Sequence, residues 1–190
     1  MLFRSSRNGM CYNPAMSFET GNSRNIVLVG FMGAGKSVVA KELAKTLKKP
    51  AVSTDELIEK TEKATIAQIF EKKGEIYFRQ LEREIVKKVA ALDSVIIDCG
   101  GGVVLNPDNI RDLKNSATLI FIAATPGVIY ERLKNQTNRP LLKGGDPQEK
   151  INELLALRQP LYKQAADYTV DGDRKTAAQV AQEIIQLIHL

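Results

Sequence analysis

The chain has no tryptophan, a single histidine and only two cysteines in 190 residues. Cys11 and Cys99 make no disulfide framework, so a reducing cytoplasm is the expected compartment. No apolar run approaches the roughly 20 residues that a membrane span needs. Residues 1–24, "MLFRSSRNGMCYNPAMSFETGNSR", lack the continuous apolar core of a secretory signal. They read as a disordered leader, with Met10 and Met16 as alternative starts. Arg4 and Arg7, ahead of any acid, are its one likeness to an organelle-targeting segment. Charge of one sign is also scarce, since 27 Lys and Arg against 22 Asp and Glu leave a net +5. That excess suits small anions and is too weak and dispersed to argue for nucleic acid. Neither an internal repeat nor a low-complexity segment is present, and His189, next to the C-terminus, carries no assigned role.

What remains is ordinary globular material, 44% hydrophobic and 26% charged, long enough for one domain over residues 25–190. From Asn25 onward, apolar strands alternate with helical patterns. "NIVLVG", "KPAVS", "SVIIDC", "ATLIFIAA" and "YTV" read as strands. Helices are predicted over Lys36–Lys48, Asp55–Lys60, Thr65–Lys73, Ile76–Leu92, Pro107–Lys114, "TPGVIYERLK", most of "DPQEKINELLALRQPLYKQA" and Thr176–Leu190. Strands that are apolar throughout, each followed by a helix, predict a parallel sheet covered on both faces, an α/β three-layer domain. Asn135–Asp146 is loop-like, with Gly144 and Gly145 as hinge positions.

"GFMGAGKS", Gly30 to Ser37, matches G-x-x-x-x-G-K-[ST] between the first strand and the first helix. Backbone N–H groups of Gly33, Ala34, Gly35 and Val38, with the helix dipole, suit a nucleoside triphosphate. Lys36 reaches the terminal phosphates in such a loop, and the Ser37 hydroxyl faces Mg²⁺. A phosphate loop alone leaves the second substrate open.

Further tags narrow it. "STDELIEK" carries Asp55, "GEIYFRQLE" carries Phe78, Arg79 and Glu82, and "VIIDCGGGVV" sets Asp98 before three glycines. "NRPLL" holds Arg139, and "LRQPLY" holds Arg158 before a helix-breaking proline. Each has a plainer explanation. Arg79 with Glu75 and Glu82 fits a solvated helix pair, and Asp55 fits the favourable first turn of a helix. Phe70 and Phe78 fit the core, and Arg158 fits a helix-end cap.

In order and spacing, these tags resemble the shikimate kinases from about Asn25 to the C-terminus. The resemblance implies a P-loop fold with a five-stranded parallel sheet and a lid over about residues 134–146. It also implies ATP-dependent phosphorylation of the 3-hydroxyl of shikimate with Mg²⁺, in a cytoplasmic, monomeric enzyme without nucleic-acid or membrane partners. Asp55 then resembles the acid that meets the substrate hydroxyls, and Arg79 with Arg158 the clamp on its carboxylate. Gly101 and Gly102 resemble backbone that touches substrate. Arg139 resembles the lid arginine that reaches the transferring phosphate. Arg132 matches a position beside the adenine, and the loop Asp171–Lys175, with Arg174, the adenine-side loop.

One departure stands out. The family commonly ends its second strand Asp-x-Asp, with the first acid toward magnesium; here the stretch is Ser53-Thr54-Asp55. Ser53 with Glu56 makes a capping-box pattern instead. Asp98, at the end of an apolar strand, has the placement of a metal-facing acid, so Ser37 and Asp98 are the expected metal residues. Pairing with Lys36, or a turn-acceptor role for the glycine loop, are the competing readings of Asp98.

Overall fold

The computed structural model describes residues 24–134 and 146–188. Arg139, most of the expected lid and nearly all of the expected leader lie outside them. Five strands form one all-parallel sheet: β1 (Asn25–Val29), β2 (Ala51–Ser53), β3 (Ile96–Asp98), β4 (Ala117–Ala123) and β5 (Tyr168–Asp171), in the order β2-β3-β1-β4-β5. The helices are α1 (Lys36–Leu47), α2 (Thr54–Glu62), α3 (Ile66–Ala90), α4 (Pro107–Ser116), α5 (Pro126–Leu133), α6 (Pro147–Ala165) and α7 (Ala177–Leu187).

β1 shows why the strands are apolar throughout. Ile26 and Leu28 pack with Val39 and Leu43 of α1 and with Val180 and Ile184 of α7. Val27 and Val29 face the opposite layer, with Ile85 and Val86 of α3, Leu113 of α4 and Leu155 of α6. Alternate residues therefore bury against different helix layers, and neither face can be polar. β1 is central, and the chain passes from β3 on one side of it to β4 on the other. Such a switch point opens a crevice at the carboxyl ends of the strands, where the glycine-rich loop leaves β1.

One helix prediction holds and one needs correction. α3 breaks at Gly74 (φ 78°, ψ 173°), between the two helices predicted on either side. α6 runs through Pro160 instead of ending there. Proline removes one helix hydrogen bond and crowds the preceding turn, and packing of Leu155, Tyr162 and Ala165 into the core holds both sides of it helical. Among the described residues, no helix is long and apolar enough to cross a membrane.

A side chain stitches the sheet's amino end. The buried Asn25 accepts from the Val95 N–H at 2.9 Å and donates to the Leu92 carbonyl. Asn25→Ala leaves that interior N–H unmet, so urea unfolding should report a loss of about 1–3 kcal/mol. A change indistinguishable from zero would mean water replaces the amide there.

Candidate active site

The phosphate loop is built to leave helix donors unmet. Gly35, with φ 101°, is the left-handed N-cap of α1, and no side chain caps that helix. A β-carbon at this φ would be strained, and the uncapped first-turn N–H groups can face an anion. Lys36 is buried and donates from Nζ to the carbonyls of Gly30 (3.0 Å) and Phe31 (3.1 Å). Arg132 fastens the loop from outside. Its Nη1 donates to the carbonyls of Gly33 (3.1 Å) and Ala34 (3.2 Å), and its Nη2 to Gly172 (2.8 Å).

Ser37, at the first turn of α1, donates from Oγ to Oδ2 of Asp98 at 2.5 Å. Asp98 is only 7% exposed. It pairs in register with Leu28 on β1 and with Ser53 on β2. Among the described residues its carboxylate meets this hydroxyl and forms no ion pair with Lys36. The glycine loop finds its acceptors elsewhere: the Gly100 N–H donates to Oγ1 of Thr54 at 2.9 Å, and the Cys99 N–H to the Leu28 carbonyl. Ser53 caps α2 by accepting from the Glu56 N–H at 3.3 Å.

Two of the three glycines make room for this protein's own side chains. A β-carbon on Gly100 would lie 2.5 Å from Oδ1 of Asp55, and one on Gly102 would lie 2.1 Å from Nη1 of Arg79. Arg79 donates from Nε and Nη2 to Oε1 of Glu75, at 3.2 and 2.9 Å, and from Nη1 to Oε2 of Glu82 at 2.9 Å. Three of its five donors are thereby used, and its guanidinium carbon lies 5.1 Å from the Phe78 ring centroid. Arg158, on α6, is buried with its guanidinium 5.9 Å from the ring centroid of Phe31.

Burial is the main force on the Glu82 carboxyl and pushes it above its ordinary value, with Arg79 opposing. Burial works the other way on Arg79, but Glu82 and Glu75 outweigh it and hold the guanidinium above its usual value. The two partners differ because Arg79 has two carboxylates and is partly exposed, whereas the Glu82 side chain is 1% exposed. Burial likewise raises the Cys99 thiol well above the usual range, which leaves it a packing residue.

These groups share one cleft of about 830 Å³, within the size range of small-molecule sites. Gly33 to Val38, Asp55, Arg79, Asp98, Gly101, Gly102, Arg132 and Arg158 all line it. Phe70 and Phe78 line it too, with ring centroids 4.8 Å apart. Phe78 is at once core and wall. Arg174 is exposed and not among the lining residues, whereas its neighbour Lys175 is. Two polar residues of the site were not singled out from sequence: Thr54, which receives Gly100, and Tyr162, which donates to the Gly101 carbonyl. Their partners lie 46 and 61 residues away, so the tags that contain them do not show what they bind.

A phosphate loop and two guanidiniums in one cleft, with a carboxylate beside the glycines, are the parts of a P-loop phosphotransferase for a small anionic acceptor. A family model described as shikimate kinase matches residues 32–189. The chain is 47% identical over 163 residues to the shikimate kinase of Caldanaerobacter subterraneus subsp. tengcongensis, covering 86% of this chain and 95% of that one. Its fold is similar to that of a shikimate kinase from Acinetobacter baumannii in complex with shikimate, with a TM-score of 0.86, 35% identity and coverage of 88% and 94%. A gluconokinase from Sinorhizobium meliloti shares the fold alone, at 15% identity and a TM-score of 0.51. The chain belongs to the shikimate kinase family.

Glu82 gives a signed pH test. A carboxyl raised in the fold contributes stability that is present below its unfolded value, near 4.5, and lost as pH rises through the folded value. Glu82→Gln lacks that loss, so its stability relative to wild type should improve as urea unfolding is repeated from about pH 4 to pH 7. The opposite trend would mean that Arg79 outweighs burial.

Proposed function

We propose that this chain transfers the terminal phosphoryl group of ATP to the 3-hydroxyl of shikimate, giving shikimate 3-phosphate and ADP for aromatic amino-acid biosynthesis. The observation that carries the reading is the convergence of Arg79 and Arg158 with Asp55 in the cleft that the phosphate loop opens into. Two planar guanidiniums, one prefixed by Glu75 and Glu82, suit a small carboxylate bidentately. Asp55, against the backbone of Gly100, orients the attacking hydroxyl and accepts its proton.

Lys36 exchanges its two carbonyl acceptors for phosphate oxygens when nucleotide binds. The N–H groups of Gly33 to Val38 cradle the phosphates, Arg132 and Arg174 serve the adenine side, and Arg139 meets charge on the transferring group. No covalent enzyme intermediate is required.

Magnesium bound with the nucleotide would offset the charge that develops on the phosphates. Ser37 and Asp98 are the residues that would hold it. Among the described residues, no cluster of three or more His, Cys, Asp or Glu side chains could cage a metal. Magnesium needs no such cage, since it is held by one or two carboxylates with waters and phosphates. The 2.5 Å contact of Asp98 with the phosphate-loop serine supports this assignment. Ser53 is then a helix cap.

The direct test is ADP release from Mg-ATP with shikimate, gluconate or no acceptor. Turnover with shikimate alone is expected. Turnover with gluconate instead would reassign the acceptor, and nucleotide binding without any turnover would favour a regulatory role.

The metal assignment has a test independent of turnover. In ADP titrations with and without Mg²⁺, Asp98→Ala should cut the Mg²⁺-dependent gain in affinity by on the order of tenfold or more, and Ser53→Ala only slightly. Equal gains in Asp98→Ala and wild type would remove Asp98 from the metal site.

A further inference from the structure

Tyr162 is buried without a purely packing reason for its hydroxyl. Its ring stacks on Phe121 of β4, with centroids 5.1 Å apart and planes 22° from parallel. A phenylalanine would fill that stack equally well. The hydroxyl instead joins two parts of the cleft. It donates to the carbonyl of Gly101 and feels the charge of Arg158, four residues earlier on α6. That spacing puts both side chains on one helix face. Burial, opposed by Arg158, pushes the phenol up to about 12, so the proton stays on it at any working pH. A phenol has one proton, and here it goes to Gly101. The phenol oxygen can then meet Arg158 only as an acceptor, and Tyr162 stands between Arg158 and the Gly101 carbonyl.

Gly101 rests on the phosphate loop. A β-carbon there would lie 3.3 Å from the backbone N of Met32 and 3.5 Å from the carbonyl oxygen of Gly30. The Gly30 carbonyl is also one of the two acceptors that hold Lys36, at 3.0 Å. A short, buried path thus links one arm of the carboxylate clamp to the lysine that meets the phosphates.

We propose that Tyr162 is a positioning residue that couples the two substrate sites, tying Arg158 to the Gly101 floor and through it to the phosphate loop. This rests on the function proposed above. When the acceptor's carboxylate engages Arg158, the phenol fixes Gly101 against residues 30–32 in the arrangement that receives nucleotide. Linkage makes the effect reciprocal, so nucleotide must tighten acceptor binding by the same factor.

Tyr162→Phe keeps the ring and removes the hydroxyl. ADP affinity would be measured by titration calorimetry with and without saturating shikimate, beside steady-state kinetics. Wild type should bind ADP more tightly with shikimate present. In the variant that gain should fall to near onefold. The KM for shikimate should rise on the order of tenfold, with a smaller change in kcat. A merely structural hydroxyl would lower the melting temperature and leave the coupling at its wild-type value, and that result overturns the proposal. A wild-type enzyme that turns over shikimate while its ADP affinity ignores it also overturns the proposal. Absence of both turnover and shikimate binding in wild type overturns the function instead. Should Tyr162→Phe not fold, shikimate methyl ester tests the same path in wild type. It retains the hydroxyls without the carboxylate charge, so it should bind without tightening ADP, and tightening equal to that by shikimate overturns the coupling.

Discussion

A β-carbon on Gly102 would stand 2.1 Å from Nη1 of Arg79, and one on Gly100 would stand 2.5 Å from Oδ1 of Asp55. Side chains at residues 100 to 102 would therefore displace both groups from the cleft. The stretch sits where three constraints meet. It follows β3, which lies between β1 and β2 in the sheet. It lies beside the phosphate loop at Gly101, and α6 holds it from the far side through Tyr162. Three glycines in a row are costly in backbone entropy, and here the cost is offset by close approach on several sides at once.

The charges in this region depend on one another. Glu82 is nearly inaccessible, so a lone carboxylate there would be unfavourable. It is placed to hold Arg79, whose second carboxylate, Glu75, is far more exposed. The outcome is a guanidinium fixed in direction before any ligand arrives. Fixing it in advance spares the ligand part of the ordering cost of binding. Arg158 is held differently, by burial beside the Phe31 ring. The two guanidiniums thus come from separate helices and separate kinds of support.

Much of this was legible in the chain. The alternation of apolar strands and helices predicts the covered parallel sheet, and the phosphate loop is recognisable because its residues are contiguous. The strand order was not legible, because pairings such as Ser53 with Asp98 join segments 45 residues apart. Pro160 was misleading for a local reason: its cost to a helix is real, but the core contacts of Leu155 and Tyr162 outweigh it. Gly74 had the reverse effect, since two predicted helices meet across one non-helical residue. Thr54 and Tyr162 escaped notice because a hydroxyl's partner has no signature near it in sequence. The glycine triplet signalled a close approach, but the groups that approach it were visible only in three dimensions.

In the proposed metal site, register lets Asp98 stand in for the acid expected at Ser53. Ser53 and Asp98 are direct partners on adjacent parallel strands, and neighbouring strands lie about 4.8 Å apart. An acid lost from the end of β2 and gained at the end of β3 moves by roughly one strand spacing, at the same level along the sheet. That is within the reach of a hydrated cation's water shell, and the serine of the phosphate loop already contacts the new carboxylate at 2.5 Å. Ser53 caps α2 through the Glu56 N–H. In the proposed site both positions therefore have a physical use, one electrostatic and one in helix capping. A chain that had simply lost the acid would give no reason for a buried aspartate at the facing position.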